Sequence, residues 1–403
     1  MIFNWNLKSI KYLGVTITKN ISDLYRANYV KLSQEIQKDI TRWSTLTLDL
    51  NSRIEIIKLN ILPKLLYLFQ SLPIEVPQSQ FRSWDRMISR FVWGGKRPRV
   101  RYRTLQLPKE RGGMGLPKLM EYYHAAQLRP IYCWCKSEFR AKWKDIEKEV
   151  NQIPIPNLVG DKKLYKELKI NMDPMTVHTL DLWFKVLKMY KIQNDANIFK
   201  WIPYDRNFKP ANYDQGYKQW AAKGITAWCV LVKEGELESF ENLRRKYGLG
   251  IHGFYRYLQL RSYFRKEIRA GSSKAVNDVI QVITKAYQES SIRIISALYQ
   301  GLITNDKHST KYIKVKWEKE LNVEISDEDW LDMWRTHHSS TNSRIWREFS
   351  WKNLVRFFIT PKMKNKQLHT RQKCWRECGS FDVDHSHVFL EMSENYCISG
   401  NDL

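Results

Sequence analysis

No apolar run in this chain approaches the ~20 residues that a membrane-spanning helix requires; ITAWCVLV, from Ile225 to Val232, is among the longest. The first residues, MIFNWNLKSIKY, contain no apolar signal core. That argues against secretion and for an intracellular protein of the nucleus or cytoplasm. Cysteine is scarce, with six residues (Cys133, Cys135, Cys229, Cys374, Cys378 and Cys397) in 403. In an intracellular chain of this size they read as free thiols or metal ligands, not as a disulfide framework. The local signatures of several enzyme classes are missing: there is no Gly-x-Ser-x-Gly elbow, no phosphate-cradling P-loop and no His-Glu-x-x-His zinc motif. Acidic residues are also in deficit. Against 67 Lys plus Arg there are 42 Asp plus Glu, a net charge of +25.

Such an excess favours a polyanionic partner, nucleic acid first and an acidic membrane surface second. Hydrophobic residues at 43% and aromatic residues at 13% exclude a disordered tail. The length leaves room for roughly two or three domains and a sizeable core. Tryptophan is abundant, with sixteen residues, and it mostly anchors cores and interfaces. Strand signals are few, and neither an internal repeat nor a sustained heptad occurs, so the architecture is expected to be mainly α.

The most informative stretch runs from Trp84 to Leu119, WDRMISRFVWGGKRPRVRYRTLQLPKERGGMGLPKL. Phe81, Trp84, Ile88, Phe91 and Val92 recur three or four residues apart and predict a helix with one buried face. Gly94 and Gly95 are expected to end it. A basic strip follows, Lys96, Arg97, Arg99, Arg101 and Arg103, with Pro98 preventing a helical start. ERGGMGLP then predicts a tightly turned segment; it lacks the lysine and Ser or Thr of a phosphate-binding loop. Clustered cations delivered by an ordered helix suggest a surface for a phosphate backbone.

Elsewhere, Ile10–Ile17 reads as a strand or half of a hairpin, and Ser22 as the cap of a helix carrying Tyr25, Tyr29, Leu32, Ile36, Ile40 and Trp43. A helix from about Ser52 into the seventies should kink at Pro63, and one over Lys118–Lys136 should be interrupted by Pro130. The proline-rich Asn151–Asp161 segment and the AGSSK linker (Ala270–Lys274) are candidate boundaries. Helices are expected at 176–190, 217–232, 239–247, 254–264, 276–302, 311–321, 327–336 and 343–358, after which Pro361 and KMKNKQLHT close the series. Arg261 and Arg265 share the apolar sector of FYRYLQLRSYF and read as snorkelling stems.

YLGVTITKN (Tyr12 to Asn20), ILPKLLYLFQSLPI (Ile61 to Ile74), FVWGGKRPRVR (Phe91 to Arg101) and GGMGLPKL (Gly112 to Leu119) occur in that order. FYRYLQLRSYF, IWREFSWKNLVRFF (Ile345 to Phe358) and CWRECGSFDVDHSHVF (Cys374 to Phe389) follow. This succession resembles the region after the polymerase palm in the reverse transcriptase of LINE-type non-LTR retrotransposons. The resemblance implies a multi-helix thumb of the right-hand-polymerase kind, a helical connector or wrist, and a small C-terminal segment with cysteines and histidines. The corresponding divisions are 1–18 as a remnant strand of the palm edge, 19–150 as thumb, 151–270 as connector and 275–403 as C-terminal segment. It further implies that Lys96, Arg97, Arg99, Arg101 and Arg103, with Arg53 and Lys58 on the preceding helix, lie near an RNA or RNA–DNA duplex.

Polymerases of this family hold two metal ions with aspartates, one pair in a Tyr-x-Asp-Asp turn, and no such adjacent Asp pair occurs here. The expectation is therefore a non-enzymatic fragment that binds nucleic acid without sequence preference. Its alternatives are a protein-interaction module, a non-functional transposon-derived product, or a chain that assembles with a separate polymerase.

Cys374 and Cys378 form one short pair, and His385 and His387 follow closely. Zinc takes four N or S ligands in a tetrahedron, so zinc is the candidate cofactor. The resemblance implies Cys374, Cys378 and His387 as ligands, but its fourth ligand, a cysteine, falls on Met392, and thioethers rarely bind zinc. Cys397 or His385 could substitute; otherwise the group is a broken knuckle with idle thiols. Cys133 and Cys135 read as packing groups, and Asp382 and Asp384 as ordinary turn residues.

Overall fold

The computed structural model describes residues 8–151, 154–233, 235–268, 277–288, 292–304 and 308–390. Among these, helices dominate, and the β-structure consists of two short antiparallel hairpins. Packing divides the chain into two compact units, neither of them a consecutive segment. The first joins Met1–Leu32, Lys64–Gln78 and Leu119–Asp306; the second joins Ser33–Pro63, Ser79–Lys118 and Lys307–Leu403. The AGSSK linker, Met392 and Cys397 lie outside the described residues.

In the first unit, Ser9–Tyr12 pairs with Val15–Thr18 in a register running from Ser9↔Thr18 to Tyr12↔Val15. Leu13 and Gly14, both at positive φ, make the two-residue turn that suits the strand twist. The Asn28 amide clamps the hairpin, accepting from Thr16 N and donating to Thr16 O, each at 2.8 Å. The cross-strand pair Ile10–Ile17 and Tyr12 remain exposed. The helix that follows begins at Ile21 with Asn20, not Ser22, in the capping position, and it buries Tyr29, Leu32, Ile36 and Ile40 as the periodicity predicts.

The centre of this unit is the helix Leu119–Cys135, buried on nearly every side. It packs against Pro174–Tyr190, Asp278–Tyr287 and Ile294–Thr304, with Tyr122 and Tyr299 stacked at 3.7 Å between centroids. Pro130 does not interrupt it. Burial around the whole circumference outweighs the lost hydrogen bond, because most helical stability comes from tertiary packing. A second cluster gathers Phe208, Tyr217, Trp228, Leu243, Tyr257 and Leu260. The expected helix over 217–232 is shorter, Gly216–Ala222. Gly224, at φ +102°, turns the chain toward the hairpin Val232–Lys233/Glu236–Leu237. The expected 276–302 helix is two helices, Asp278–Tyr287 and Ile294–Thr304.

The chain runs helically from Leu50 to Ser71, with a wider π-turn at Ile57–Ile61 directly before Pro63. That turn absorbs the clash of the proline ring with the preceding carbonyls, so the proline is accommodated without a break. Asp49 caps the start, accepting from Ser52 N at 2.5 Å.

The second unit is pinned by tryptophans whose indole N–H groups each reach an internal acceptor. Trp84 donates to Ser33 Oγ at 3.0 Å, Trp330 to Thr310 Oγ1 at 2.9 Å, Trp317 to Leu354 O at 2.9 Å and Trp351 to Gly112 O at 3.1 Å. Helices Lys311–Leu321, Asp327–Ser339 and Arg344–Leu354 carry three of these indoles. The polar segment after Pro361 is also helical, Pro361–Leu368. Pro361 occupies the first helical turn, where its missing N–H costs nothing, and Thr360 caps it.

Candidate nucleic-acid interface and metal group

The helix Gln78–Val92 buries Phe81, Trp84, Ile88, Phe91 and Val92, the face that the sequence predicts. Gly94 and Gly95 adopt φ of 58° and 75°. Gly94 N donates to Phe91 O and Gly95 N to Arg90 O, each at 2.9 Å, closing the helix in the double-bonded glycine cap. The strip therefore leaves a rigid helix end, and Val100, 5% exposed, anchors its middle.

The seven predicted cations fall into three groups. Lys96, Arg97 and Arg103 are exposed and have no side-chain partner among the described residues. Arg99 and Arg101 are exposed but positioned: the Arg99 guanidinium lies 5.1 Å from the Phe357 ring centroid and Arg101 4.3 Å from that of Tyr312. Arg99 also donates through Nη1 to Phe357 O at 3.4 Å, and such stacking leaves the other N–H groups of a guanidinium available to phosphate. Tyr312 is held in turn, its hydroxyl 3.1 Å from Thr104 Oγ1, and Phe357 stacks on Trp93 at 5.9 Å. Arg53 and Lys58 are half-buried and used internally. Arg53 donates to Leu48 O at 3.1 Å and to Phe91 O at 2.9 Å, satisfying a carbonyl at the end of the Gln78–Val92 helix. Lys58 pairs with Glu55 at 2.8 Å and reaches Met114 O at 3.4 Å.

The glycine segment is built into the unit. Gly115 N donates to Leu107 O, and Met114 N and Leu116 N both donate to Leu105 O, at 2.9–3.1 Å. Gly112 takes φ +84° against the Trp334 ring.

Near the C-terminus, Cys374, Cys378 and His387 place one ligand atom each within 4.8 Å of one another. Cys374 is buried and its N–H bonds Ser380 O at 2.9 Å. The turn around Cys378 uses Glu377 and Gly379, on either side of it, at positive φ. Cys378 Sγ lies 3.3 Å from His387 Nε2. Hydrogen bonds from Ser380, and next from His387, bring the Cys378 thiol down to about 6. Two cysteine sulfurs and an imidazole are donors that suit zinc, and they lie close enough together to converge on one ion. The three residues could thus hold a metal ion and supply three of its four ligands. His385 is not among them: it is 1% exposed, edge-on to Trp317 at 6.1 Å, and burial brings its pKa down to about 4. Asp382 and Asp384 serve the backbone, accepting from Gln372 N and His387 N. Cys133 and Cys135 are buried, and burial pushes the Cys135 thiol up to about 12.

Phe357 and Tyr312, which seat two of the strip arginines, were not singled out from sequence. They lie more than 200 residues along the chain from the strip, and nothing local marks them. No protein-family model matches the chain.

Proposed function

We propose that this chain is a nucleic-acid-binding segment of the LINE-type reverse-transcriptase kind. In this reading it holds RNA or an RNA–DNA duplex by its backbone and performs no polymerisation itself. The observation that carries the reading is the strip itself. Three exposed cations without a side-chain partner among the described residues flank two arginines fixed on aromatic rings, all in a short segment that leaves a capped helix. Exposed guanidinium and ammonium groups arranged in this way offer phosphate oxygens charge-assisted hydrogen bonds. Arg53 and Lys58 contribute positive field from behind the strip. The Cys374, Cys378 and His387 group holds zinc and supplies three of its four ligands. Such a chain works where nucleic acid is, in nucleus or cytoplasm, alone or beside a separate polymerase chain.

The test is fluorescence anisotropy with a labelled RNA–DNA hybrid of mixed sequence. Reversing charge at Arg97, Arg99 and Arg101 should weaken binding at least 100-fold, whereas reversal at Lys188, on the other compact unit, should change it little. Unaltered binding by the triple variant would refute the assignment. Primer extension by the purified chain should give no product.

A further inference from the structure

The second compact unit contains a recess separate from the strip. Its walls come from Asn51 and Glu55, from the glycine segment at Gly113 and Met114, from Lys109, and from Arg344, Arg347 and Trp351, enclosing about 220 Å³. Three cations face it against one carboxylate, and that carboxylate is already paired, Glu55 to Lys58 at 2.8 Å. The Lys109 and Arg344 side chains are exposed and have no partner among the described residues. Arg347 is partly buried; it donates to Thr341 O at 2.5 Å through Nη2, while its Nε is out of water and makes no hydrogen bond. The Trp351 indole donates elsewhere, to Gly112 O at 3.1 Å, so its ring serves as an apolar wall.

Like charges gathered in one recess repel unless an anion joins them, and a buried guanidinium N–H without an acceptor is costly. We infer that this recess binds a phosphate group, with Lys109 and Arg344 as mobile charges at the rim and the partly buried Arg347 guanidinium as a fixed charge in its wall. A fork of guanidinium donors matches tetrahedral oxygens, and the volume admits a phosphate with its attached sugar. The inference does not require the strip to bind nucleic acid. The phosphate can belong to a 5′ end, to an internal phosphodiester or to free inorganic phosphate.

The test uses the full chain at constant ionic strength, titrated with inorganic phosphate by calorimetry, beside Lys109→Glu/Arg344→Glu, the neutral pair Lys109→Gln/Arg344→Gln, and the strip variant. Saturable binding by the wild type, weakened at least 10-fold by both pocket pairs and unchanged in the strip variant, is the expected result. Because both rim side chains are exposed and have no partner among the described residues, the glutamine pair preserves the fold, which circular dichroism checks. Anisotropy with 5′-phosphorylated and 5′-hydroxyl oligonucleotides then separates the sources. Loss confined to the phosphorylated strand assigns a terminal phosphate, and equal loss for both assigns an internal one. Phosphate binding that is absent in the wild type, or undiminished in both pocket pairs, overturns the inference. The strip reading would still stand if its own variant loses binding.

Discussion

Replacing Gly113 by alanine tests whether the glycine segment is a load of tightly packed backbone or a passive loop. A Cβ at this position would sit 1.9 Å from the Leu107 carbonyl oxygen and 2.4 Å from its carbon. The neighbour is backbone and cannot rotate away, so the segment must move by about 1 Å or more, an overpacking that costs about 1–3 kcal/mol. The same shift lengthens the Gly115 N to Leu107 O bond, now 2.9 Å, and strains the two bonds to Leu105 O. Losing one or two of these adds about 1 kcal/mol each. The expected total is about 2–5 kcal/mol. Gly95 supplies the control. It has φ +75° and nothing within 4 Å of a built Cβ, so Gly95→Ala should cost only the left-handed strain, about 1–2 kcal/mol. Urea unfolding followed by tryptophan fluorescence measures both. A Gly113→Ala protein within 1 kcal/mol of wild type, or one more stable than Gly95→Ala, would contradict the packing described.

Three other outcomes are expected. In the first unit burial raises Glu147 to about 7, although the Trp134 indole donates to it at 2.6 Å. A carboxyl with a raised folded pKa favours folding below its ordinary range, and the benefit is lost as pH rises through 7. Glu147→Gln should therefore gain about 1–2 kcal/mol at pH 8 and nothing near pH 4, after discounting for the part of this group still in water. His124 opposes this slope: burial, and then the Lys185 charge, lower it to about 4. Its contribution is complete above the ordinary histidine range and lost as pH falls through 4. Denaturant midpoints across pH 4–8 should thus tilt upward with pH in Glu147→Gln; an unaltered profile would refute the Glu147 assignment. Zinc at about 100 times its Kd should stabilise the chain by about 2.7 kcal/mol, with the gain abolished in Cys378→Ser and kept in Cys133→Ala. In chelator-treated protein iodoacetamide should label Cys378 before Cys133, Cys135 and Cys229, with a midpoint near pH 6 set by its lowered thiol. Labelling of the buried thiols first would contradict that environment.

What was legible in the sequence is what neighbours along the chain decide. The Gln78–Val92 face, its glycine cap, the Phe240–Tyr247 helix and the Lys311–Leu321 helix all follow from local period and helix-ending chemistry. Pro130 misled because a helix buried all round is held by its surroundings. The Val232–Leu237 hairpin was missed because two-residue strands carry no alternation to read. His385 was a substitute for His387 on sequence proximity alone, yet two residues along a helical turn point to opposite sides; His387 meets Cys378 and His385 meets Trp317. The interleaving of segments into two units and the aromatic seats of Arg99 and Arg101 depend on contacts between distant residues, and no local pattern encodes those.

The central claim is that the five strip cations hold a phosphate backbone, and the salt dependence of binding tests it most directly. If each neutralises one phosphate, the logarithm of the association constant for a duplex should fall with the logarithm of salt concentration at a slope of about −4.5. Reversing Arg97, Arg99 and Arg101 should flatten that slope to about −2 or less. A slope that is the same in the wild-type and triple-variant proteins would contradict it.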